Sequence, residues 1–471
     1  MAHPLLPAQE ALRDLWHAAG LGAPALDRVS LSGDEPVLPS SFAVGTAAQA
    51  SIAAAALAAA ELGRLRNGIE QQVSVDMRHA ALECCTHFRI DGRAPDIWDK
   101  LSGLYPCGDD GRAGWVRIHA NFAHHRDGAL RLLGLPPGDA TPRADVARAL
   151  RDRDAFEFEQ AAADAGMVVA ALRSVDEWDA HPQGLAVALG PLIHIEKIGE
   201  APPVALPPLS HASRPLRGLR VLDLTRILAG PVGGRALAAY GADVMLVNSP
   251  HLPNIEAIAD TSRGKLSAHA DLRSNADRAA FEEVLRGAHV LLQGYRPGSL
   301  ASLGYGPREV AALRPGVVVV SLSAYGPTGP WAGRRGFDSL VQTATGFNHA
   351  EGQAFGEGPP RALPMQILDH ASGYLIALGA QAAMIRQMTE GGSWHVQVSL
   401  ARTGRWLRRL GRVANGADGP PPDFAGLLET SSSGFGELVA LRHAAQFSRT
   451  PAGWERPSVR PGTHGLVWPV G

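Results

Sequence analysis

Cysteine is scarce in this chain, with three in 471 residues. Cys84 and Cys85 are adjacent and Cys107 stands apart, which gives neither a CxxC metal pattern nor an even disulfide framework. Reduced thiols in a cytoplasmic protein are expected. An excess of charge is also missing: 44 basic residues face 46 acidic ones, with no block of like sign, which argues against nucleic acid or a membrane as partner. A small-molecule partner fits better. The opening residues "MAHPLLPAQEALRDLW" lack the basic and long apolar regions of a secretory signal, so export is not expected. The most apolar run, "AAQASIAAAALAAAELG" at 47–63, is interrupted by Gln49 and Ser51 and is shorter than a membrane span requires. It reads as a buried helix. Familiar catalytic signatures are absent too: there is no GxSxG elbow, no HExxH and no Walker-type loop. "GLGAPA" at 20–25 fits the GxGxxA fingerprint formally, but a helix-like segment precedes it where a strand is needed.

What is present is length and pattern. At 45% apolar content over 471 residues, two or three domains are expected. The proline-rich passage "EAPPVALPPLSHASRPLRG" at 200–218 reads as an exposed linker. Before it the pattern is mostly helical, as in 143–166, with short strand candidates such as "WVRIHA" at 115–120. After it, apolar strands at 219–224, 243–247, 289–293 and 316–323 alternate with helices such as 234–241 and 280–288, which predicts a doubly wound parallel α/β sheet. An internal repeat is also visible. Without gaps, residues 46–77 can be laid on 369–400, each reading as an apolar helix, a turn with glycine and a "VxV" strand. Identity is low and alanine-rich helices align easily, but the shared order favours duplication. In that register Thr46 stands opposite Asp369.

Two readings of the residues stay open. The turn "LTRILAGPVGGRALAAYG" carries Ala229, Gly230, Gly233 and Gly234 at the end of a strand, which suits close approach of a nucleotide-bearing ligand or simply tight strand-to-helix packing. Asp369, in "PMQILDHASGYLIALG", is a helix N-cap or a nucleophile. Residue physics alone favours the cap, yet a carboxylate with an ordinary pKa of about 3.9 needs no histidine to activate it. His119, His124 and His125 lack metal-ligand spacing and read as a polar surface loop.

Five pieces in order resemble the CaiB/BaiF family, the class III CoA transferases: "PLRGLRVLDLTRILAGPVGGRALAAYGADVMLV", "SRGK", "YRPGSLASLGYG", "SLSAYGPTGPWAGRRGFDSLVQTATG" and the segment around Asp369. The resemblance spans roughly residues 215–402. It implies a Rossmann-like CoA-binding domain over 219–402 and a catalytic carboxylate at Asp369, which forms an anhydride with the acyl group of an acyl-CoA and then an aspartyl-CoA thioester. A carboxylic acid would then take up the CoA. The helix N-terminus is expected to favour the ionised Asp369 and to offer N–H groups to an oxyanion. By the same resemblance coenzyme A, as substrate, would meet Arg226, Leu228, Ala229, Arg263, Lys265, Tyr295 and Arg296, and no metal is needed. Asn248, Ser249, Gly294 and Ser302 depart from the family pattern at positions that usually contact CoA. Residues 1–200 look like the family's carboxyl-terminal portion, with a helical repeat copy and a smaller α+β domain; 201–218 is the linker and 403–471 a shortened tail. The resemblance further implies an interlocked homodimer, with the first 200 residues facing Asp369 within one chain. Two alternatives are an α-methylacyl-CoA racemase-type isomerase, for which Phe347 occupies the usual histidine position and His349 lies two residues on, and an acyl-CoA-binding paralogue without turnover.

Overall fold

The computed structural model describes residues 5–356 and 358–469. Its largest sheet contains β1 (His194–Gly199), β2 (Arg220–Asp223), β3 (Asp243–Asn248), β4 (Lys265–His269), β5 (Val290–Gln293), β6 (Val318–Ser323) and β7 (Ser393–Ser399). Across the sheet the order is β4-β3-β2-β5-β6-β7-β1, and every pairing is parallel except β7 with β1. The first six of these are the doubly wound arrangement expected, with a reversal of strand order between β2 and β5 where a crevice opens at the carboxyl ends. These strands form because Val221, Leu222, Val244–Val247, Val290–Leu292 and Val318–Val320 are buried, leaving no polar face.

A smaller α+β unit is built on the antiparallel strands Gly103–Pro106, Trp115–Ile118 and Val169–Ala171, with its own core. The helical stretch anticipated at 143–166 is two helices, Arg143–Ala149 and Ala155–Asp164; Asp154 caps the second by accepting from the N–H groups of Phe156 and Glu157 at 2.9 and 3.1 Å. Residues 201–218 hold no helix or strand; half of them are exposed, as a linker should be, while Leu206, Leu209 and Leu216 are buried and tie the passage to the molecule. One core takes in residues on both sides of it, from Ala11 to Phe447. The last segment folds as well: the hairpin Leu428–Ser433 and Gly436–Leu441 pairs with Phe88–Ile90 from the first half.

Five helices position the site: α1 (Val44–Asn67), α2 (Ala229–Ala239), α3 (Asp338–Ala344), α4 (Ile367–Glu390) and α5 (Leu400–Arg409). α1 and α4 are each 24 residues long and begin and end at the same offset of 323, the register that lays Thr46 on Asp369. They pack on each other, with Gln381 donating to the carbonyl of Ala55 at 3.1 Å. The correspondence extends to the sheets. Val73–Asp76 is parallel to Val29–Ser32 and antiparallel to Ala445–Phe447, just as β7 is parallel to β6 and antiparallel to β1. α1 is longer than its apolar run suggested: mean hydropathy reaches 1.2 over a window that is 94% buried, long and apolar enough to cross a membrane but packed inside the fold.

Candidate active site

Asp369 is the third residue of α4, whose N-cap is Gln366, and its side chain caps nothing. The cap comes from elsewhere. Asp338, first residue of α3, accepts the N–H of Asp369 at 2.8 Å and that of Leu368, while Gln342 donates to its other oxygen at 2.5 Å. Asp338 thereby satisfies the open N–H groups at the start of α4. The expectation that these groups are free for an oxyanion is corrected, since a carboxylate already holds them.

The Asp369 carboxyl group is 8% exposed by residue and has no hydrogen-bond partner among the described residues. Burial, and then the charge of Asp338, raise its pKa well above the usual carboxylate range. Burial also raises Asp338, to about 7, against the pull of its hydrogen bonds. Two adjoining carboxyl groups in a dry setting resist double ionisation, and the one with donors takes the charge first. Asp369 is therefore not the ordinarily ionised carboxylate expected. It is a buried acid whose oxygens are free and whose ionisation depends on its neighbour.

A cavity of about 330 Å³ opens at the carboxyl ends of β2, β5 and β6, at the reversal of strand order. Arg226, Tyr295 and Arg296 line it together; Arg334 and Arg335 join them, and among the described residues no carboxylate lies on the wall. Arg226 donates to the Pro253 carbonyl and leaves its Nε unpartnered. Burial and then the nearby Arg296 lower the pKa of Arg335, so these guanidinium groups repel one another and favour an anion between them. Ile227, also on the wall, has φ of 75°, a strained value for a β-branched residue. A second, mainly apolar cavity of about 260 Å³ shares Leu224, Leu252, Tyr295 and Ser299 with the first. Beside it Asn248 is buried at the end of β3 with both side-chain polar atoms unpartnered. Phe337 belongs to the wall of the larger cavity and directly precedes Asp338, which connects that cavity to Asp369.

Other anticipated contacts are not brought there. Leu228 and Ala229 are buried at the start of α2. Arg263 is buried against Asp260, Glu429 (3.0 Å), the Leu441 carbonyl (2.9 Å) and the Trp454 ring (3.8 Å). Lys265 is buried on Asp223 at 2.9 Å and the Pro231 carbonyl at 2.8 Å. Neither faces solvent or the cavity, because carboxylates claim them: Asp260, three residues away, and Glu429 for Arg263, and Asp223, 42 residues away, for Lys265. Lys265 instead fastens the β2-to-α2 turn. The glycines of that turn follow the packing reading: a Cβ on Gly234 would lie 2.3 Å from Asp223 Oδ2, and one on Gly233 would lie 2.8 Å from the Gly373 carbonyl in α4. α2 and α4 cross where neither has a side chain.

Of the three histidines only His124 is exposed, and it lies on a helix. His119 and His125 are buried; His119 stacks on Phe337 at 3.9 Å and burial pushes its pKa down to about 3. His124 and His125 line the larger cavity. They reach it because the strand Trp115–Ile118 packs on α3, so the first half of the chain does face Asp338 and Asp369 within one molecule. Phe347 is fully buried against Phe42 at 4.7 Å, and His349 lies beside Glu177. Asp338, Arg334 and Arg335 were missed in the sequence although the motif "WAGRRGFDSL" contains all three.

Comparison with known proteins bears on the same segment. Residues 216–432 match the model of CoA-transferase family III. An acyl-CoA transferase of Gibberella moniliformis is 31% identical over an alignment of 372 positions that covers 70% of this chain and 64% of that protein. A probable fatty acyl-CoA transferase of Mycobacterium tuberculosis is 31% identical over 46% of this chain and 59% of its own length. A crystal structure of a CaiB/BaiF family protein from Brucella suis is 25% identical over 48% of this chain and 65% of that one, with a TM-score of 0.37. The chain thus spans less than two thirds of these curated relatives. Residues 216–432, which hold Asp369 and the arginines of the cavity, are thus similar to CoA-transferase family III.

Proposed function

We propose that the chain moves CoA from an acyl-CoA to a carboxylic acid with Asp369 as nucleophile. The observation that carries this reading is a buried carboxyl group, free of hydrogen-bond partners among the described residues, standing just beyond an arginine-lined cavity at the strand ends. CoA phosphates sit among Arg226, Arg296, Arg334 and Arg335, and the thiol end runs past Phe337. An Asp369 oxygen attacks the thioester carbonyl; the C–S bond breaks, CoA leaves as thiolate and an aspartyl anhydride remains. The thiolate then attacks the aspartyl carbonyl, releases the first acid as its carboxylate and leaves an aspartyl-CoA thioester. A second carboxylate repeats the two steps in reverse and takes the CoA away. No net proton is gained or lost, and each step trades one acyl bond for another of similar energy.

The raised affinity of Asp369 for its proton makes the ionised form a more basic, stronger nucleophile, at the cost of a smaller ionised fraction at neutral pH. Anionic CoA is tolerated because the cationic cavity offsets it. The test is trapping: incubation with acyl-CoA followed by mass spectrometry of the Asp369 peptide, with Asp369→Ala as control. A CoA adduct confined to the unaltered chain is expected. No adduct across a broad acyl-CoA panel defeats the reading.

A further inference from the structure

The residue after Asp369 is held by the first half of the chain. His370 is buried, and its ring has one hydrogen-bond partner among the described residues: the hydroxyl of Thr86, whose Oγ1 lies 2.8 Å from His370 Nε2. One turn further along α4, the Tyr374 hydroxyl donates to Glu83 at 2.6 Å. His370 and Tyr374 are four residues apart and share a face of the helix, with Asp369 about 100° round from His370. Both partners come from one short stretch, since Glu83 ends the helix Met77–Glu83 and Thr86 lies in the turn that follows. Glu83 is itself fixed: it accepts the N–H of Ala444 at 2.7 Å and meets His443 Nδ1 at 3.2 Å and Arg235 at 3.4 Å. Thr86 has φ of 52°, left-handed and strained for a β-branched residue, where glycine would sit freely. Among the described residues the hydroxyl on that strained residue bonds to His370 alone. α1 has no such fastening. In the register of the repeat Ala47 and Ser51 stand where α4 has His370 and Tyr374, and the Ser51 hydroxyl turns back to the Ala48 carbonyl of its own helix at 3.1 Å.

From these positions we propose that Thr86 is a positioning residue for the transfer: with Glu83 it fixes the rotation of α4 about its axis, so that the Asp369 carboxyl group keeps its line of approach while it carries first an acyl group and then CoA. This rests on the transfer reading above and adds how the nucleophile is held. A fastening found only on the copy that carries Asp369 is not needed to fold a helix of this kind, because α1 folds without it. Attack on a carbonyl needs the reacting atoms about 3–3.5 Å apart and aligned, and a displacement of about 1 Å costs on the order of 100-fold in rate. Neither Glu83 nor Thr86 lies on the wall of either cavity beside the site, so binding of acyl-CoA does not depend on them.

Substitutions at Thr86 separate positioning from stability. Thr86→Gly removes the hydroxyl and relieves the strain, so the melting temperature is expected to stay level while kcat falls ~10–100-fold and KM for acyl-CoA is unchanged. Thr86→Val loses the hydrogen bond but keeps the branched shape, and is expected to match Thr86→Gly in kcat; Thr86→Ser keeps the hydroxyl and is expected to keep the full rate. The same order is expected in a single turnover, read by mass spectrometry as the rate at which the Asp369 adduct forms before any acceptor is added. Full activity in Thr86→Gly, a rate in Thr86→Ser as low as in Thr86→Gly, or a loss of rate that follows a fall in melting temperature overturns the proposal. Adduct formation at equal rates in the unaltered chain and in Thr86→Gly removes the positioning role alone. No adduct in the unaltered chain removes the transfer itself, and the positioning role with it.

Discussion

α1 and α4 are the same element twice, and the difference between their first turns separates support from chemistry. In α4 the carboxylate of Asp338 accepts the N–H of Asp369 at 2.8 Å; in α1 the carboxylate of Glu35 accepts the N–H of Thr46, also at 2.8 Å. Both helices therefore receive an acidic cap from another segment, at the same position of the repeat. Burial raises the pKa of Glu35 as it does that of Asp338. The cap is thus a structural constant of the fold. What α4 adds is a second carboxyl group at the capped residue, a cationic cavity beside it, and cover from the strand Trp115–Ile118. The hairpin within 428–441 pairs instead with Phe88–Ile90. A helix start of this kind needs one acid to fold and a second to react.

The comparison is broken most severely by making α4 like α1. Asp369→Thr is expected to lower the proposed transfer by at least ~10³-fold and to abolish the trapped adduct. Melting temperature should stay within a few degrees, because Asp338 still caps the helix; a large loss of stability would mean that Asp369 is itself structural. Next in size is the cavity that α1 lacks. Removing one guanidinium by Arg226→Ala or Arg335→Ala is expected to raise KM for acyl-CoA by ~10–100-fold, the loss of a charge-assisted bond of about 1.5–3 kcal/mol, with kcat little changed. Steady-state kinetics at several acyl-CoA concentrations measures this.

The cap itself comes third. Asp338→Asn keeps an oxygen to accept the N–H of Asp369 but removes the neighbouring charge, so the acidic limb of the rate profile should move to lower pH by about one unit. Stability gives an independent reading. Asp338 binds its proton more tightly in the folded chain than in the unfolded one, so stability falls as pH rises from about 4, where the unfolded group ionises, through about 7, where the folded one does. Melting curves across that window should be flatter in the variant. The smallest effect is expected from the opposite change, Thr46→Asp, which places a second carboxyl group beside Glu35. It should destabilise by about 1–3 kcal/mol at neutral pH and yield no CoA adduct at residue 46. Thermal melting and the same mass-spectrometric trap check both halves of that expectation.

The sheet was legible because its strands are buried on both faces and so are written as unbroken apolar runs, as in "GVVVVSLS". The repeat was legible through a constant spacing that survives low identity. The site was only half legible. Arg226, Tyr295 and Arg296 follow strand ends and had to face the crevice, whereas Arg263 and Lys265 look equally basic in sequence and are claimed by Asp260 and Asp223 inside the fold. Nothing local in "SRGK" reports a partner 42 residues away. Asp369 looked like a cap because it opens an apolar stretch; the helix in fact starts two residues earlier, and its cap is an acid 31 residues upstream that only tertiary folding supplies. His119 and His125 were misjudged for the same reason, since their burial depends on Phe337 across a domain-sized separation.

The antiparallel pairing of β1 with β7 carries a consequence for how the chain is made. Gly199 pairs with Ser393, so β1 leaves the ribosome roughly 200 residues before its partner exists. At 5–20 residues per second that is an interval of roughly 10–40 s in which a strand edge has no neighbour. Completion of the sheet, and with it a settled position for α4, must await the late arrival of β7. Slowed translation across residues 200–393 should therefore lengthen the period during which the nascent chain is prone to aggregate.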